Sequence, residues 1–153
     1  MKIPHYTDSL PYALESTSRI LHEAIVRFFE KNGFEITHDE FVILDTLYAN
    51  PEILQIDLAK LILKGRAHTG RFLMALEEKG FVKRVPSNKG KKLVMISSVT
   101  EDGMKVYKKI KKAIEDHINS FQNEMTEEKE KELLHLLSIV KKDVLKKCDI
   151  KFK

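Results

Sequence analysis

The sequence predicts a mainly α-helical fold with one small β-hairpin, an α+β arrangement in a single domain spanning residues 1–153. Three observations predict it. Apolar residues recur every three or four positions in six segments, the period of helices with one buried face. Between the fourth and fifth of these lie two short β-prone runs separated by a polar loop, the pattern of an antiparallel hairpin. The composition, 42% hydrophobic and 33% charged, suits a chain that buries a core, and four prolines and six glycines leave little material for a flexible linker.

Each element has its own local signal. From about Ser9 to Lys31, Leu10, Leu14, Leu21, Ile25 and Phe28 share one helical face, and Asn32-Gly33 supplies a stop. Thr37-His38-Asp39-Glu40 has the spacing of a capping box, opening a helix with Phe41, Leu44, Leu47 and Tyr48 that ends near Asn50-Pro51. A short helix from about Gln55 to Leu63 is apolar on most sides. Lys64-Gly65 is expected to break it, and a further helix runs from Arg66 to Lys79 with Gly80 beyond its end. Its apolar half, Phe72 to Leu76, is expected to turn into the core, with Phe72, Leu73 and Leu76 as the inward positions. Phe81–Val85 and Leu93–Ser97 are the β-prone runs, with 86–92 as the loop between them. Thr100 caps a long helix carrying Tyr107, Ile110, Ile114, His117, Ile118 and Phe121. Thr126 caps the last, in which Leu133, Leu137, Val140 and Val144 repeat like the seam of a coiled coil.

Charge and composition narrow the function. Residues 1–63 are acidic, whereas 64–92 hold nine basic residues against Glu77 and Glu78, an excess of +7 that forms a footprint for a polyanion. No apolar run approaches the roughly 20 residues a membrane helix needs, and the opening MKIPHYTDSL lacks a signal-peptide pattern. A single cysteine, Cys148, cannot form an internal disulfide, so the expected compartment is the cytoplasm.

Two short helices joined by a tight break and followed by a basic hairpin form a winged helix-turn-helix. The first helix braces the second, whose start can enter the major groove of double-stranded DNA. That start is Arg66-Ala67-His68-Thr69-Gly70-Arg71: small residues that allow close approach, mixed with donors for guanine or phosphate. On the hairpin loop, Lys89, Lys91 and Lys92 act as point charges beside the minor groove or the flanking phosphates. Gly70 inside the helix costs about 1 kcal/mol relative to alanine, which close approach to DNA or to a neighbouring helix would explain.

The run Leu76-Glu77-Glu78-Lys79-Gly80-Phe81-Val82-Lys83-Arg84, a basic wing, and Val99-Thr100-Glu101-Asp102-Gly103 together resemble the core of the MarR family. Residues 37–47 and Asp57-Leu58-Ala59 are similar to the preceding helices of that family, and the resemblance covers essentially the whole chain. It implies a winged helix-turn-helix DNA-binding lobe over 38–98 and a helical dimerisation lobe from 9–31 and 101–148. It further implies a homodimeric transcriptional regulator bound to a pseudo-palindromic operator, a repressor released by a small aromatic or phenolic effector. Ala67 to Arg71 fall where the family reads the major groove and Lys91-Lys92 near its wing-tip basic residue, although Gly90-Lys91-Lys92 stands where the family commonly has Asp-x-Arg. Tyr12, Arg19, His22 and Phe41 are candidates for the effector site, with none singled out, so that site is unknown.

Other classes have weaker signals. No phosphate loop, nucleophile elbow or catalytic grouping appears, so no enzyme and no cofactor is expected. His22, His117 and His135 lie on helices that can meet in the dimerisation lobe, but no histidine pair sits four apart and no CxxC is present, so no metal site is assigned. Cys148, beside Lys146 and Lys147, leaves a redox-responsive member of the same family as an alternative. A winged-helix module for protein contacts is a second alternative, disfavoured by the +7 segment because protein-binding surfaces are usually less charged at their centre.

Overall fold

The computed structural model describes residues 5–89, 92–121 and 125–150, with side chains for all of these except Lys89, Lys92 and Phe121. Six helices and one hairpin follow in the order α1 (Leu10–Asn32), α2 (His38–Ala49), α3 (Gln55–Leu61), α4 (Arg66–Glu78), β1 (Val82–Lys89), β2 (Lys92–Val99), α5 (Glu101–Phe121) and α6 (Glu127–Lys147). A single 3-10 turn at Tyr6–Asp8 precedes them. No helix among the described residues is long and apolar enough to cross a membrane.

The caps form as the spacing predicts. Thr37 Oγ1 accepts from the Glu40 amide at 3.2 Å while Glu40 Oε2 accepts from the Thr37 amide at 2.7 Å. Glu40 is 3% exposed, and its carboxylate accepts from Lys79 Nζ at 2.9 Å, which joins the start of α2 to the end of α4. Thr126 accepts from the Lys129 amide at the head of α6. Three helices finish in the same pair of backbone bonds, 6→1 and 5→2, around a left-handed residue. In α1 and α4 that residue is glycine: Gly33 at φ 59° and Gly80 at φ 76°. At the end of α3 it is Leu63, at φ 55°, with Leu63 N–H donating to Lys60 and Lys64 N–H to Ala59. The break expected at Lys64-Gly65 therefore turns on Leu63, and Gly65 is an extended residue at φ −64°, ψ 151° at the head of α4.

The hairpin is longer than its β-prone runs. β1 and β2 pair antiparallel from Val82↔Val99 to Lys89↔Lys92, so residues 86–89, expected in the loop, are strand. Alternate amides of a two-stranded ribbon point away from the partner, which leaves room for Pro86 opposite Met95. Leu54, just before α3, adds an isolated antiparallel bridge to Ile96 and ties the hairpin to the helix pair.

The core draws on α1 through α5. Phe29, Phe41, Leu44, Leu58, Leu73, Leu76, Tyr107 and Ile110 lie in one buried cluster. Tyr107 crosses from α5 to α2: its ring stacks on Phe41 at 5.7 Å and its hydroxyl donates to Asp45 at 2.7 Å. Burial, then that carboxylate, pushes the phenol well above its ordinary pKa. The outer helices differ. α6 buries no residue, and Leu134 (59%) and Leu136 (51%) stand in solvent, as do Ile20 (70%) and Leu21 (57%) on α1.

Candidate nucleic-acid interface

α4 begins with a bare end. Its N-cap, Gly65, has no side chain to cap the helix, so the positive end of the helix dipole faces outward beside exposed Arg66. At about 100° per residue, Thr69, Leu73 and Leu76 share the inward face and are fully buried. The opposite face carries Ala67, Arg71, Met74 and Glu78, all exposed, with exposed His68 to one side.

This geometry sorts the residues assigned to base reading. Arg66, Ala67, His68 and Arg71 are presented outward. Thr69 is not: it is 0% exposed, and its hydroxyl donates to the Gly65 carbonyl at 3.1 Å, so it holds the first turn of α4 rather than reaching a base. Its spacing of four and seven from Leu73 and Leu76 is the signal in the sequence for that orientation. Gly70 is half-buried, and a Cβ there would stand 3.0 Å from Gln55 Nε2 at the head of α3. A Cβ at this position would require the Gln55 amide to swing aside by a few tenths of an ångström. Of the inward positions expected from the sequence, Leu73 and Leu76 are buried and Phe72 is half-buried, whereas Met74 in the same apolar stretch is 51% exposed.

Surface charge is smaller than the segment count implies. Lys64 pairs with Asp39 at 2.8 Å, Lys79 with Glu40 at 2.9 Å, and Arg84 Nε donates to Glu77 at 2.7 Å. The guanidinium beside Glu77 holds its carboxyl below the usual carboxylate range. Three of the nine cations of residues 64–92 are thus engaged in building the lobe. Arg66, Arg71 and Lys83 have no carboxylate partner among the described residues. Among the described side chains of this segment, those are the cations left for a polyanion. Of the expected wing contacts, Lys91 lies outside the described residues, as do the side chains of Lys89 and Lys92.

Beside α4, a shallow groove of about 470 Å³ runs along Thr37, Lys64, His68, Arg71 and Phe72. Lys64 Nζ sits 5.8 Å from the centre of the Phe72 ring, so the pair forms one wall. The effector candidates do not line this groove. Phe41 is core at 9% exposure, Arg19 pairs with Glu15 on its own helix, and His22 meets His38 edge-on at 6.1 Å. Burial pushes the His38 imidazole below its ordinary pKa, with Asp39 opposing and His22 and Lys64 reinforcing the shift. Among the described residues no group of three or more His, Cys, Asp or Glu side chains could hold a metal ion.

The recognition helix is locked to the long helix α5 by a motif of four residues. Thr100 N–H donates to the Phe81 carbonyl at 3.0 Å, and its hydroxyl donates to the Gly80 carbonyl at 2.7 Å and accepts from Gly103 N–H at 3.1 Å. A Cβ on Gly103 would lie 2.1 Å from the Phe81 oxygen. The Thr-x-x-Gly spacing is thus the contact that sets α5 against the end of α4.

Comparison with known proteins agrees with this arrangement. Residues 36–94 match the family model described as MarR family. The chain is 29% identical over 132 residues to YybA of Bacillus subtilis (strain 168), an uncharacterized HTH-type transcriptional regulator; the match spans 86% of this chain and 81% of that protein. Its fold matches that of the transcriptional repressor CouR bound to a 23-mer DNA duplex (TM-score 0.78, 23% identity, 92% of this chain and 97% of that one). It also matches NadR in complex with 4-hydroxyphenylacetate (TM-score 0.72, 21% identity, 92% and 96%). Residues 36–94 thus resemble the MarR family, and the chain as a whole has the fold of the solved regulators it matches.

Proposed function

We propose that two copies of this chain bind a pseudo-palindromic operator as a repressor, with residues 38–98 as the DNA lobe and helices 9–31 and 101–148 as the dimer lobe. The observation that carries the reading is the outward face of α4, where Arg66, Ala67, His68 and Arg71 are exposed around an uncapped helix start. Two such helices enter successive major grooves about 34 Å apart, and Arg71 supplies the donors for a base edge. Lys89, Lys91 and Lys92 add phosphate contacts from the wing. The apolar faces of α1 and α6 support dimerisation, because exposed leucines and isoleucines in such number call for a partner surface. The effector is a small aromatic or phenolic acid, by analogy with NadR, which is solved with such a ligand. It releases DNA by favouring a dimer geometry whose helix spacing no longer fits two grooves.

The test is a gel-shift titration on a duplex selected by the protein from a random pool, with unselected DNA as reference. Arg71→Ala is expected to weaken the selected duplex by roughly tenfold or more while changing unselected DNA far less, the behaviour of a base contact worth about 1–3 kcal/mol. Equal affinities of wild type and variant for both duplexes refute the reading. Adding 4-hydroxyphenylacetate as a first probe tests release.

A further inference from the structure

We infer that Met74 is a specificity-determining residue, reading the C5-methyl group of a thymine in each operator half-site. The inference rests on the DNA-binding reading above and deepens it. A single exposed methionine needs no explanation by itself. What gives Met74 meaning is its place. On α4 it lies about 60° around the axis and about 4.5 Å along it from Arg71, and only about 20° around from Ala67. The outermost stripe therefore presents, in order, a small residue, a cation, a thioether and the Glu78 carboxylate.

The chemistry of the major groove selects the partner. Base edges there are donors and acceptors, with one apolar exception in unmodified DNA, the thymine methyl. A guanidinium such as that of Arg71 suits guanine. An apolar side chain on the same stripe has only the methyl group to bury against. Methionine has the length and flexibility to follow the groove, and its polarizable sulfur packs well on irregular surfaces. Glu78, one turn further on, repels phosphate and marks where the reading stripe ends. Leu73 and Leu76, both 0% exposed, fix the rotation of α4, so Met74 cannot turn inward without emptying the core.

The experiment uses the full-length protein and the duplex it selects from a random pool, remade with each thymine replaced in turn by deoxyuridine, which lacks only the methyl. Wild type is expected to lose about fourfold in affinity per half-site at one thymine position, the value of one buried methyl group. Met74→Ala is expected to bind weakly from the outset and to be indifferent to that replacement, while Met74→Leu keeps the response. Met74→Ala losing as much as wild type at every thymine overturns the assignment, as does a wild type indifferent to all replacements. Arg71→Ala on the same duplexes separates the two levels of the argument. If it loses the preference for selected DNA, base reading by α4 stands and a negative thymine result refutes Met74 alone. If it binds as wild type does, the reading beneath both is refuted.

Discussion

Gly103→Ala is expected to destabilise the protein by about 3–5 kcal/mol, opposite in sign to the roughly 1 kcal/mol that an alanine inside a helix normally gains over glycine. The new Cβ would stand 2.1 Å from the Phe81 oxygen, 2.9 Å from its carbonyl carbon and 3.0 Å from its Cα. An ordinary carbon–oxygen contact needs more than 3 Å, and the obstacle is backbone, so no rotamer change relieves it. The first turn of α5 must move by about 1 Å. That movement breaks the Thr100 bonds to Phe81 and Gly80, at 3.0 and 2.7 Å, each worth about 1 kcal/mol. It also lifts Tyr107 and Ile110, 2% and 1% exposed, from the core, adding the 1–3 kcal/mol typical of overpacking. The assay is urea unfolding at fixed protein concentration, because the proposed dimer would make apparent stability depend on concentration. Thr100→Val provides the comparison: it removes the hydroxyl bonds without inserting an atom at the contact, and is expected to cost about 1–2 kcal/mol. A Gly103→Ala protein within 1 kcal/mol of wild type refutes the claim that this contact fixes α5 against the recognition helix.

Two further outcomes follow from local geometry. Leu63→Gly is expected to stabilise the fold by about 1 kcal/mol, since a left-handed residue carrying a Cβ pays about 1–2 kcal/mol that glycine avoids, less the flexibility glycine gives the unfolded chain and the packing of a 44%-exposed side chain; thermal unfolding of the two proteins side by side checks it, and a lower midpoint for the glycine variant contradicts it. His38 has its pKa lowered from 6.5 by burial, so the folded state prefers the neutral ring and the unfolded chain takes up the proton first. Its contribution to stability is therefore complete above the unfolded value of 6.5 and is lost as pH falls through that value toward the folded one; His38→Asn flattens the stability profile in that window, and an unchanged slope counts against the burial of this imidazole.

Much of this molecule was legible along the chain because the signals are local. An N-cap needs only a hydroxyl beside a backbone amide three residues on, and Thr37, Thr100 and Thr126 each accept the bond their spacing predicts. Six helices and a hairpin in order follow from the period of apolar residues. The run from Leu76 to Arg84 was recognisable for the same reason, since each member serves a neighbour in space that is close in sequence: Gly80 turns the chain and Arg84 reaches back to Glu77.

What the tertiary structure decided depends on which residues meet across elements. Lys79 counts as a DNA-attracting cation on the chain, but the fold spends it on the buried Glu40, 39 residues away. Thr69, assigned to base reading from the sequence, is turned inward because polarity does not say which way a helix is rotated; packing of Leu73 and Leu76 against α2 and α3 does. Pro86 joins a strand because the ribbon has an open edge there. Gly103 is explained by backbone atoms of Phe81, which no local pattern brings near. Local chemistry, acting over one turn of chain, determined where elements begin and end. Close packing, acting between elements, determined which face of the recognition helix is left to meet DNA.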